Sequence, residues 1–271
     1  MAESESPPEY PHAAFAVGCG RSGTHFLAEL FRQTPGFTSL HCDDVGKADG
    51  DSYLGYTKWH ELTVRREPLL DWRERLIRPA NLSGLSYFES NCYLSLAISD
   101  LYGRFHGRFV FTVRNPIDVV NSLFIKGWYE DPVTPQPTYD YSVAKASHSF
   151  GRLTPSDPSE YERWSHLTRI GRIAWFWNAL NLRILGDLQN IPRERWRLIR
   201  LDAFNHARYL DVVEFLEGKH AIQEGAFLNL VNRRPGRGQR HRHREDWSSK
   251  EAEEFTRETA HACEQLQHHS E

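Results

Sequence analysis

The first segment of the chain with chemical potential is a glycine-rich stretch, residues 18–25, with the sequence GCGRSGTH. It follows the apolar run Ala13–Gly18 and precedes apolar residues at helical spacing, a pattern that predicts a buried strand, a tight turn and a helix. Such a turn directs the backbone N–H groups of a helix N-terminus at one point, which suits an anion. Because Arg21 adds a positive charge and Ser22 and Thr24 add hydroxyls, the segment predicts a site for a phosphate or sulfate group.

The same segment departs from the nucleoside triphosphate loop, whose pattern is G-x-x-x-x-G-K-[ST]. Gly18 and Gly23 have the required spacing, but Thr24 stands at the lysine position and His25 at the Ser/Thr position. Kinases and ATPases use that lysine on the β- and γ-phosphates and that hydroxyl on Mg²⁺. The sequence therefore favours an anion bound without a metal, and a kinase with a degenerate loop stays as an alternative.

A second segment, RNPIDVVNS, spans residues 114–122 and follows a strand predicted at Arg108–Val113. Asn115 is predicted to cap a helix that begins at Pro116. Ser122, eight positions after Arg114, would then lie about two turns into that helix. A guanidinium at the end of a strand and a hydroxyl on the next helix can converge on one phosphate. The alternative is an ordinary capped junction between a strand and a helix.

Together the two segments resemble the sulfotransferases that use 3′-phosphoadenosine 5′-phosphosulfate (PAPS). In that family a [KR]-S-G-T loop after the first strand binds the 5′-phosphosulfate, and an R-x-x-x-D-x-x-x-S segment after a later strand binds the 3′-phosphate. The resemblance implies transfer of a sulfuryl group, without a metal, from PAPS as co-substrate to a hydroxyl or amine of a small-molecule or saccharide acceptor. A non-catalytic nucleotide-binding module is the alternative. The residues implied at the 5′-phosphosulfate are Arg21, Ser22, Gly23, Thr24 and His25, and those at the 3′-phosphate are Arg114 and Ser122.

The chain also departs from parts of the family's pattern. Arg21 occupies a position that is lysine in the cytosolic phenol-type enzymes, whereas carbohydrate and protein-tyrosine types often have arginine there. Residues 233–247 resemble only loosely the C-terminal R-K-G-x-x-G-x-W-K element of the cytosolic members. In this basic stretch Arg237 and Arg240, with Arg234 as a further candidate, are expected near the 3′-phosphate, although a solvated segment is the simpler alternative.

Transfer to a hydroxyl requires a general base, and His41 is the first candidate. It ends a predicted short strand in the stretch FTSLHCDDV, and Asp43 and Asp44 follow it. The unperturbed pKa of imidazole suits the role, and a neighbouring carboxylate can orient the ring. The alternative is a surface histidine in an acidic turn. Arg21 is expected to assist catalysis by neutralising the charge that grows on the leaving phosphate.

Glu89, in the stretch SYFESN, is the second candidate for the base. It follows a possible strand at Gly84–Phe88 and would point toward the same crevice. Its alternative role is a favourable charge at the N-terminus of a helix predicted at Ser90–Tyr102.

The elements that must position these residues alternate between strands and helices, which predicts a parallel sheet covered on both faces. We therefore expect a single α/β domain over residues 13–271, with a central parallel β-sheet flanked by helices and a disordered tail at residues 1–12. A loop rich in proline and aromatic residues, residues 126–161, is expected over the acceptor site. The other predicted elements are helices at Thr24–Gln33, Trp164–Leu188 and Tyr209–Leu216, a strand at Trp196–Leu201 and a helix that opens with a capping box at Ser248.

The composition of the 271 residues bounds the partners and the compartment. The net charge of −3 gives no general basic field for nucleic acid. No stretch approaches the ~20 apolar residues that a membrane span needs. The four cysteines are far apart without a C-x-x-C pair, and the N-terminal residues lack the apolar core of a signal peptide. We expect a cytoplasmic protein, and the sequence leaves its oligomeric state open.

Overall fold

The computed structural model describes residue 10 and residues 12–42, 44–45, 48–63, 65–130, 152–233 and 243–269. Within them, five parallel strands form one sheet in the order β2-β3-β1-β4-β5, which confirms the predicted parallel sheet. The strands are β1 Ala13–Val17, β2 Phe37–His41, β3 Ser86–Ser90, β4 Arg108–Val113 and β5 Trp196–Arg200.

The central strand β1 pairs with β3 on one side and with β4 on the other. Phe15 lies opposite Glu89 in β3 and opposite Phe109 in β4. Because the strands are parallel, their carboxyl ends meet at one edge, where the segments that follow β1 and β4 lie side by side. The chain runs from β1 outward to β2 and β3 and then crosses to β4. The segment that follows β1 therefore leads toward β2 and the segment that follows β4 leads toward β5, so the connections diverge between β1 and β4. Ligands of open α/β sheets bind at such a switch point.

Helices cover both faces of the sheet, as predicted for a single α/β domain. Phe15 and Trp177 belong to the apolar core of one face. Phe31 and Phe88, whose rings stack with centroids 4.1 Å apart, belong to the core of the other. The helices are α1 Thr24–Arg32, α2 Ala48–Trp59, α3 Glu67–Leu82, α4 Ile98–Phe105, α5 Pro116–Ile125, α6 Pro158–Ser165, α7 Arg169–Gln189, α8 His206–Phe215, α9 Glu224–Asn232 and α10 Ser249–Gln267.

Local capping signals explain which element boundaries were predictable. The Asn115 side chain accepts a hydrogen bond from the Ile117 N–H, and α5 begins at Pro116, as predicted. The capping box at Ser248 is likewise confirmed. The helix predicted at Ser90–Tyr102 is wrong in its first half, because β3 continues through Ser90 and a 3₁₀ helix, Cys92–Leu96, precedes α4.

The long helical pattern at Trp164–Leu188 is divided between two helices. The Thr168 hydroxyl accepts a hydrogen bond from the Gly171 N–H and caps α7, so Trp164 belongs to the preceding helix α6. A threonine hydroxyl at this position accepts a hydrogen bond from a backbone N–H of the first turn, which stabilises the start of a new helix there. The apolar stripe continues across the break, which is why the periodicity alone suggested one element.

Two predicted segments fall largely outside the described residues. In the tail predicted at residues 1–12, only Tyr10 and His12 are described. Tyr10 is buried and its hydroxyl donates to the Glu74 carboxylate at 2.7 Å, so packed structure begins before residue 13. Residues 131–151 of the long loop are not described, and its expected place over the acceptor stays a prediction. Among the described helices, none combines the length and apolar character that crossing a bilayer requires.

Candidate anion-binding site

The loop between β1 and α1 is fixed at its entrance by Gly18. The Ser95 hydroxyl accepts a hydrogen bond from the Gly18 N–H at 2.9 Å and donates to the Gly18 carbonyl at 3.0 Å. A Cβ at this position would collide with the Thr112 carbonyl oxygen of β4, so the close approach of the two strand ends requires glycine. The Ser22 N–H then donates to the Cys19 carbonyl at 3.1 Å and closes a tight turn.

The exit of the loop exposes the N-terminus of α1. Arg21 and Gly23 both have left-handed backbone conformations, with φ of 72° and 100°. A Cβ at Gly23 would lie 2.6 Å from the Leu201 side chain, which follows β5. Gly23 is the N-cap and supplies no side-chain cap to α1. The backbone donors of Thr24 and His25 therefore start a helix whose positive end has no side-chain acceptor at its cap.

Ser22 places a hydroxyl inside this loop. The residue is 1% exposed, and its Oγ has no hydrogen-bond partner within the described part of the chain. Its carbonyl accepts a hydrogen bond from the Thr112 hydroxyl at 2.7 Å, which ties the loop to β4. An unpaired buried hydroxyl is costly. A ligand with several acceptor oxygens would satisfy it, so the loop fits the phosphate or sulfate group that its sequence predicts.

The second predicted segment lies against the first. Arg114 follows β4 directly, and its Nη1 lies 3.4 Å from the Arg21 carbonyl, to which it donates. Its guanidinium also donates to the Asp118 carboxylate, at 3.1 Å from Nη2. Ser122 on α5 accepts a hydrogen bond from Arg21 Nε at 2.9 Å. Residues about ninety positions apart are thus brought together because β1 and β4 are neighbours.

His41 ends β2 and reaches the N-terminus of α1. Its imidazole packs edge to face with that of His25, with ring centroids 5.1 Å apart. The Asp44 carboxylate accepts a hydrogen bond from the His41 backbone N–H at 2.8 Å and forms an ion pair with Arg32. The Cys42 Sγ lies 3.3 Å from His41 Nδ1. Asp43, which the sequence also places here, lies outside the described residues.

Glu89 points instead into a buried polar cluster. Its carboxylate accepts from Arg73 Nη2 at 2.8 Å, from Asn91 Nδ2 at 2.9 Å and from the Tyr87 hydroxyl at 2.8 Å. Both Glu89 and Arg73 are fully buried. Arg73 Nη1 also donates to Asp51 at 2.7 Å, and burial raises the pKa of that aspartate. Glu89 is therefore enclosed and paired in this structure.

Sequence reasoning missed Arg73, although the sequence holds a signal for it. Arg73 lies four positions after Leu69 and four before Ile77, on the buried stripe of α3. A charged residue at an apolar position of an amphipathic helix indicates a buried partner. Because α3 itself was not predicted, the signal went unused.

The structure also adds Trp247 to the surroundings of Ser122. Its indole N–H donates to the Asn121 side-chain oxygen at 3.1 Å, and Asn121 is the residue before Ser122 on α5. Trp247 is 8% exposed and packs on Phe255 of α10. It is the last residue of the basic stretch 233–247, whose residues 234–242 are not described, so the roles of Arg237 and Arg240 stay predictions.

Metal ligands are not clustered in the part of the chain that the structure covers. Among those residues, no group of three or more His, Cys, Asp or Glu side chains is placed to hold a metal ion.

The sheet order, the loop after β1 and the crossing to β4 define an α/β fold of the sulfotransferase type. Two solved structures share it over almost the whole chain. The sulfotransferase domain from the Synechococcus PCC 7002 olefin synthase aligns with a TM-score of 0.51 and 12% identity, covering 97% of this chain and 98% of that domain. The sulfotransferase domain from the curacin biosynthetic pathway gives 0.50 and 14%, covering 96% and 99%. No family model and no curated protein matches the sequence.

Proposed function

We propose that the protein transfers a sulfuryl group from PAPS to a hydroxyl or amine of a small-molecule or saccharide acceptor, without a metal. One observation carries the proposal: the contact of Arg21 with Ser122 joins two anion-binding segments at the carboxyl edge of a sulfotransferase-type sheet. A single anion would need only one of these segments. Two adjacent segments suit a ligand with two phosphate groups, such as a 3′,5′-bisphosphate.

The residues of the first loop receive the 5′ end of the donor. The backbone N–H groups of Thr24 and His25 and the hydroxyl of Ser22 hold its oxygens, while Arg21 supplies the charge that stabilises the leaving phosphate. When bound, PAPS supplies an activated sulfuryl group. Catalysis then depends mainly on in-line positioning and charge stabilisation, which fixed backbone donors provide without reorganisation.

The residues of the second segment receive the 3′-phosphate. Arg114 follows β4 with its side chain about one-third exposed, and Ser122 presents its hydroxyl from α5. Arg237 and Arg240 would add charge from the basic stretch that precedes Trp247. The hydrogen bond from Trp247 to Asn121 supports placing these two arginines near the 3′-phosphate, because it holds the end of the basic stretch beside Ser122.

We propose His41 as the general base. Its ring is partly exposed and lies against His25 at the N-terminus of α1, where the sulfuryl group would be held. Glu89 is the second candidate. To accept a proton from an acceptor it would have to leave its bonds to Arg73, Tyr87 and Asn91, so the geometry favours His41.

The acceptor is proposed to be a small molecule or a saccharide, with residues 126–161 forming part of its pocket. The two structural neighbours come from an olefin synthase and from the curacin biosynthetic pathway, which is compatible with a small-molecule acceptor.

The test is a transfer assay with PAPS carrying a radiolabelled sulfur and a panel of phenols, alcohols, amines and saccharides. We expect labelled product with at least one class, unchanged by a chelator and reduced at least tenfold in Arg114→Ala, which loses a charge-assisted contact. Binding of intact PAPS without any labelled product, across the whole panel, would favour a non-catalytic binding module instead.

A further inference from the structure

Two buried hydroxyl groups hold the loop between β1 and α1 from opposite sides. The Ser95 hydroxyl bonds to Gly18 at the entrance of the loop, and the Thr112 hydroxyl bonds to Ser22 further along it. We propose that Ser95 and Thr112 are positioning residues, which keep the loop in its anion-binding shape before the donor arrives. The inference rests on the proposed function and names the residues that preorganise its 5′ subsite.

Ser95 takes the place of a further residue of β3. The Asn91 N–H donates to the Ala16 carbonyl at 3.0 Å, as in a parallel ladder. The next bond of such a ladder would run from the Gly18 N–H to the Asn91 carbonyl. The chain turns instead into the 3₁₀ helix Cys92–Leu96, and the Gly18 N–H donates to Ser95 Oγ at 2.9 Å. Because the same hydroxyl donates to the Gly18 carbonyl at 3.0 Å, fully buried Ser95 fixes the peptide groups on both sides of Gly18.

The 3₁₀ helix that carries Ser95 is itself held by a buried polar cluster. Asn91 caps this helix, because its side-chain oxygen accepts from the Tyr93 N–H at 2.9 Å. Asn91 Nδ2 donates to the Glu89 carboxylate at 2.9 Å and to the Asp51 carboxylate at 3.1 Å. The buried carboxylates therefore support the anion-binding loop through Asn91 and Ser95.

Thr112 holds the loop from the other side, on β4. The residue is fully buried, and its hydroxyl donates to the Ser22 carbonyl at 2.7 Å. The Ser22 N–H donates to the Cys19 carbonyl at 3.1 Å, which closes the turn between the two points of attachment. Ser95 and Thr112 thus tie one short loop to β3 and β4, the two neighbours of β1 in the sheet.

The loop requires such support because its backbone is strained. Arg21 and Gly23 have φ of 72° and 100°, and the left-handed region is unfavourable for a residue with a Cβ, such as Arg21. A strained backbone persists only where its surroundings fix it. If one of the two hydroxyls is removed, the loop can relax, and the affinity of a ligand that uses the loop falls with the fraction that keeps the binding shape. A nucleotide without a 5′ anion does not use the loop.

The experiment compares two nucleotides that differ only at the 5′ position, 3′-phosphoadenosine 5′-phosphate and adenosine 3′-phosphate. Their dissociation constants are measured by isothermal titration, that of adenosine 3′-phosphate by displacement of the bisphosphate. Ser95→Ala should bind the bisphosphate about three- to thirtyfold more weakly, as for loss of two hydrogen bonds that serve the 5′ subsite. Its affinity for adenosine 3′-phosphate should stay within about twofold of the wild type. A general folding defect would weaken both nucleotides alike.

Thr112 allows the hydroxyl to be separated from the shape of the side chain. Thr112→Val keeps nearly the same shape and removes the hydroxyl, whereas Thr112→Ser keeps the hydroxyl. We expect Thr112→Val to bind the bisphosphate about two- to tenfold more weakly and Thr112→Ser to retain the wild-type affinity. Because Thr112→Val changes the packing so little, it tests the inference even if Ser95→Ala does not fold.

Ser39→Ala and Thr57→Val are the matched controls. The Ser39 hydroxyl donates to the Ala28 carbonyl at 2.7 Å, and the Thr57 hydroxyl donates to the Leu54 carbonyl at 2.8 Å. Both residues are buried, as Ser95 and Thr112 are, but neither bond involves the loop. Both control variants should keep the wild-type affinity for each nucleotide.

The outcomes separate the inference from the proposed function. If the wild type binds the bisphosphate and Thr112→Val binds it equally well, the inference is refuted. It is also refuted if Ser95→Ala and Thr112→Val weaken the two nucleotides to the same extent. If the wild type binds no bisphosphate, the proposed function itself fails, whatever the variants do.

Discussion

The imidazole rings of His25 and His41 lie edge to face, with centroids 5.1 Å apart. His25 belongs to the first turn of α1 and His41 ends β2, the edge strand of the sheet. The packing of α1 on β2 fixes this pair, and the Ser39 hydroxyl donates to the Ala28 carbonyl at 2.7 Å on the same side. The candidate base thus lies beside the anion-binding loop although β3 separates their strands.

The variant His41→Gln should lose turnover but keep donor binding. Loss of a general base typically costs about 10²- to 10⁴-fold in rate. The loop proposed to bind the nucleotide would use backbone N–H groups, the Ser22 hydroxyl and Arg21, and not this ring. The measurement is kcat together with the affinity for 3′-phosphoadenosine 5′-phosphate. His220→Gln, at an exposed position, is the control. Wild-type turnover in His41→Gln would exclude His41 as the base.

The variant Glu89→Gln should lose stability. It leaves the buried guanidinium of Arg73 with one carboxylate instead of two, and breaking a buried ion pair typically costs about 3–5 kcal/mol. Because Asp51 still pairs with Arg73, we expect the lower end, measured as the free energy of unfolding in urea. A Glu89→Gln protein with wild-type stability and no turnover would instead identify Glu89 as the base.

The loop entrance can be tested at two glycines. Gly18→Ala should lower the free energy of unfolding by about 1–3 kcal/mol, because its Cβ would meet the backbone of Thr112, which cannot move aside easily. Gly20→Ala is the matched control in the same loop, since a Cβ there has no atom within 4 Å. Equal stability of the two variants, measured by urea unfolding, would contradict this account of the loop.

The role of Trp247 can be separated from its packing by Trp247→Phe. This variant keeps an aromatic ring and removes the hydrogen bond to Asn121 beside Ser122. We expect the affinity for the 3′,5′-bisphosphate to fall by about two- to tenfold and that for 5′-AMP to stay the same. Trp175→Phe removes a comparable indole bond, to Glu160 at 2.9 Å, away from the site. A similar loss of bisphosphate affinity in both variants would show that the loss does not depend on the hydrogen bond from Trp247 to Asn121.

His60 predicts a pH dependence of stability. Burial lowers its pKa from 6.5 to about 4. The ring packs beside Tyr56, and its Nδ1 lies 3.1 Å from the Ser156 hydroxyl. A histidine whose pKa is lower when folded stabilises the protein above pH 6.5, and this contribution is lost as the pH falls toward 4. Urea unfolding between pH 7 and 4 should therefore show a shallower decline for His60→Gln than for the wild type. An equally steep fall in the free energy of unfolding for both proteins would refute the assignment of a lowered pKa to His60.

The sequence predicted those features that depend on neighbouring residues. The glycines of the first loop, the Asn115 cap and the Ser248 capping box each act within a few positions, and the structure has them where expected. It did not predict the contact of Arg21 with Ser122, because this depends on the pairing of β1 with β4.

The surroundings of Glu89 were hidden for a different reason. Its partner Arg73 lies on α3, whose apolar stripe is interrupted by the arginine itself and whose last turns contain Pro79. The local pattern was therefore too irregular to indicate a helix, and the long-range ion pair could not be inferred without it. Arg73 and Glu89 are each unusual in their own element, and only the fold shows that they satisfy each other.

The most direct test of the central claim is a comparison of nucleotides by thermal unfolding. 3′-Phosphoadenosine 5′-phosphate, 5′-AMP and ATP with Mg²⁺ should each be titrated against the wild-type protein. A ligand at about a hundred times its Kd adds roughly 2.7 kcal/mol to the stability, an upward shift of a few degrees in Tm. The account predicts the largest shift with the 3′,5′-bisphosphate. A larger shift with ATP and Mg²⁺, or none with the bisphosphate, would contradict it.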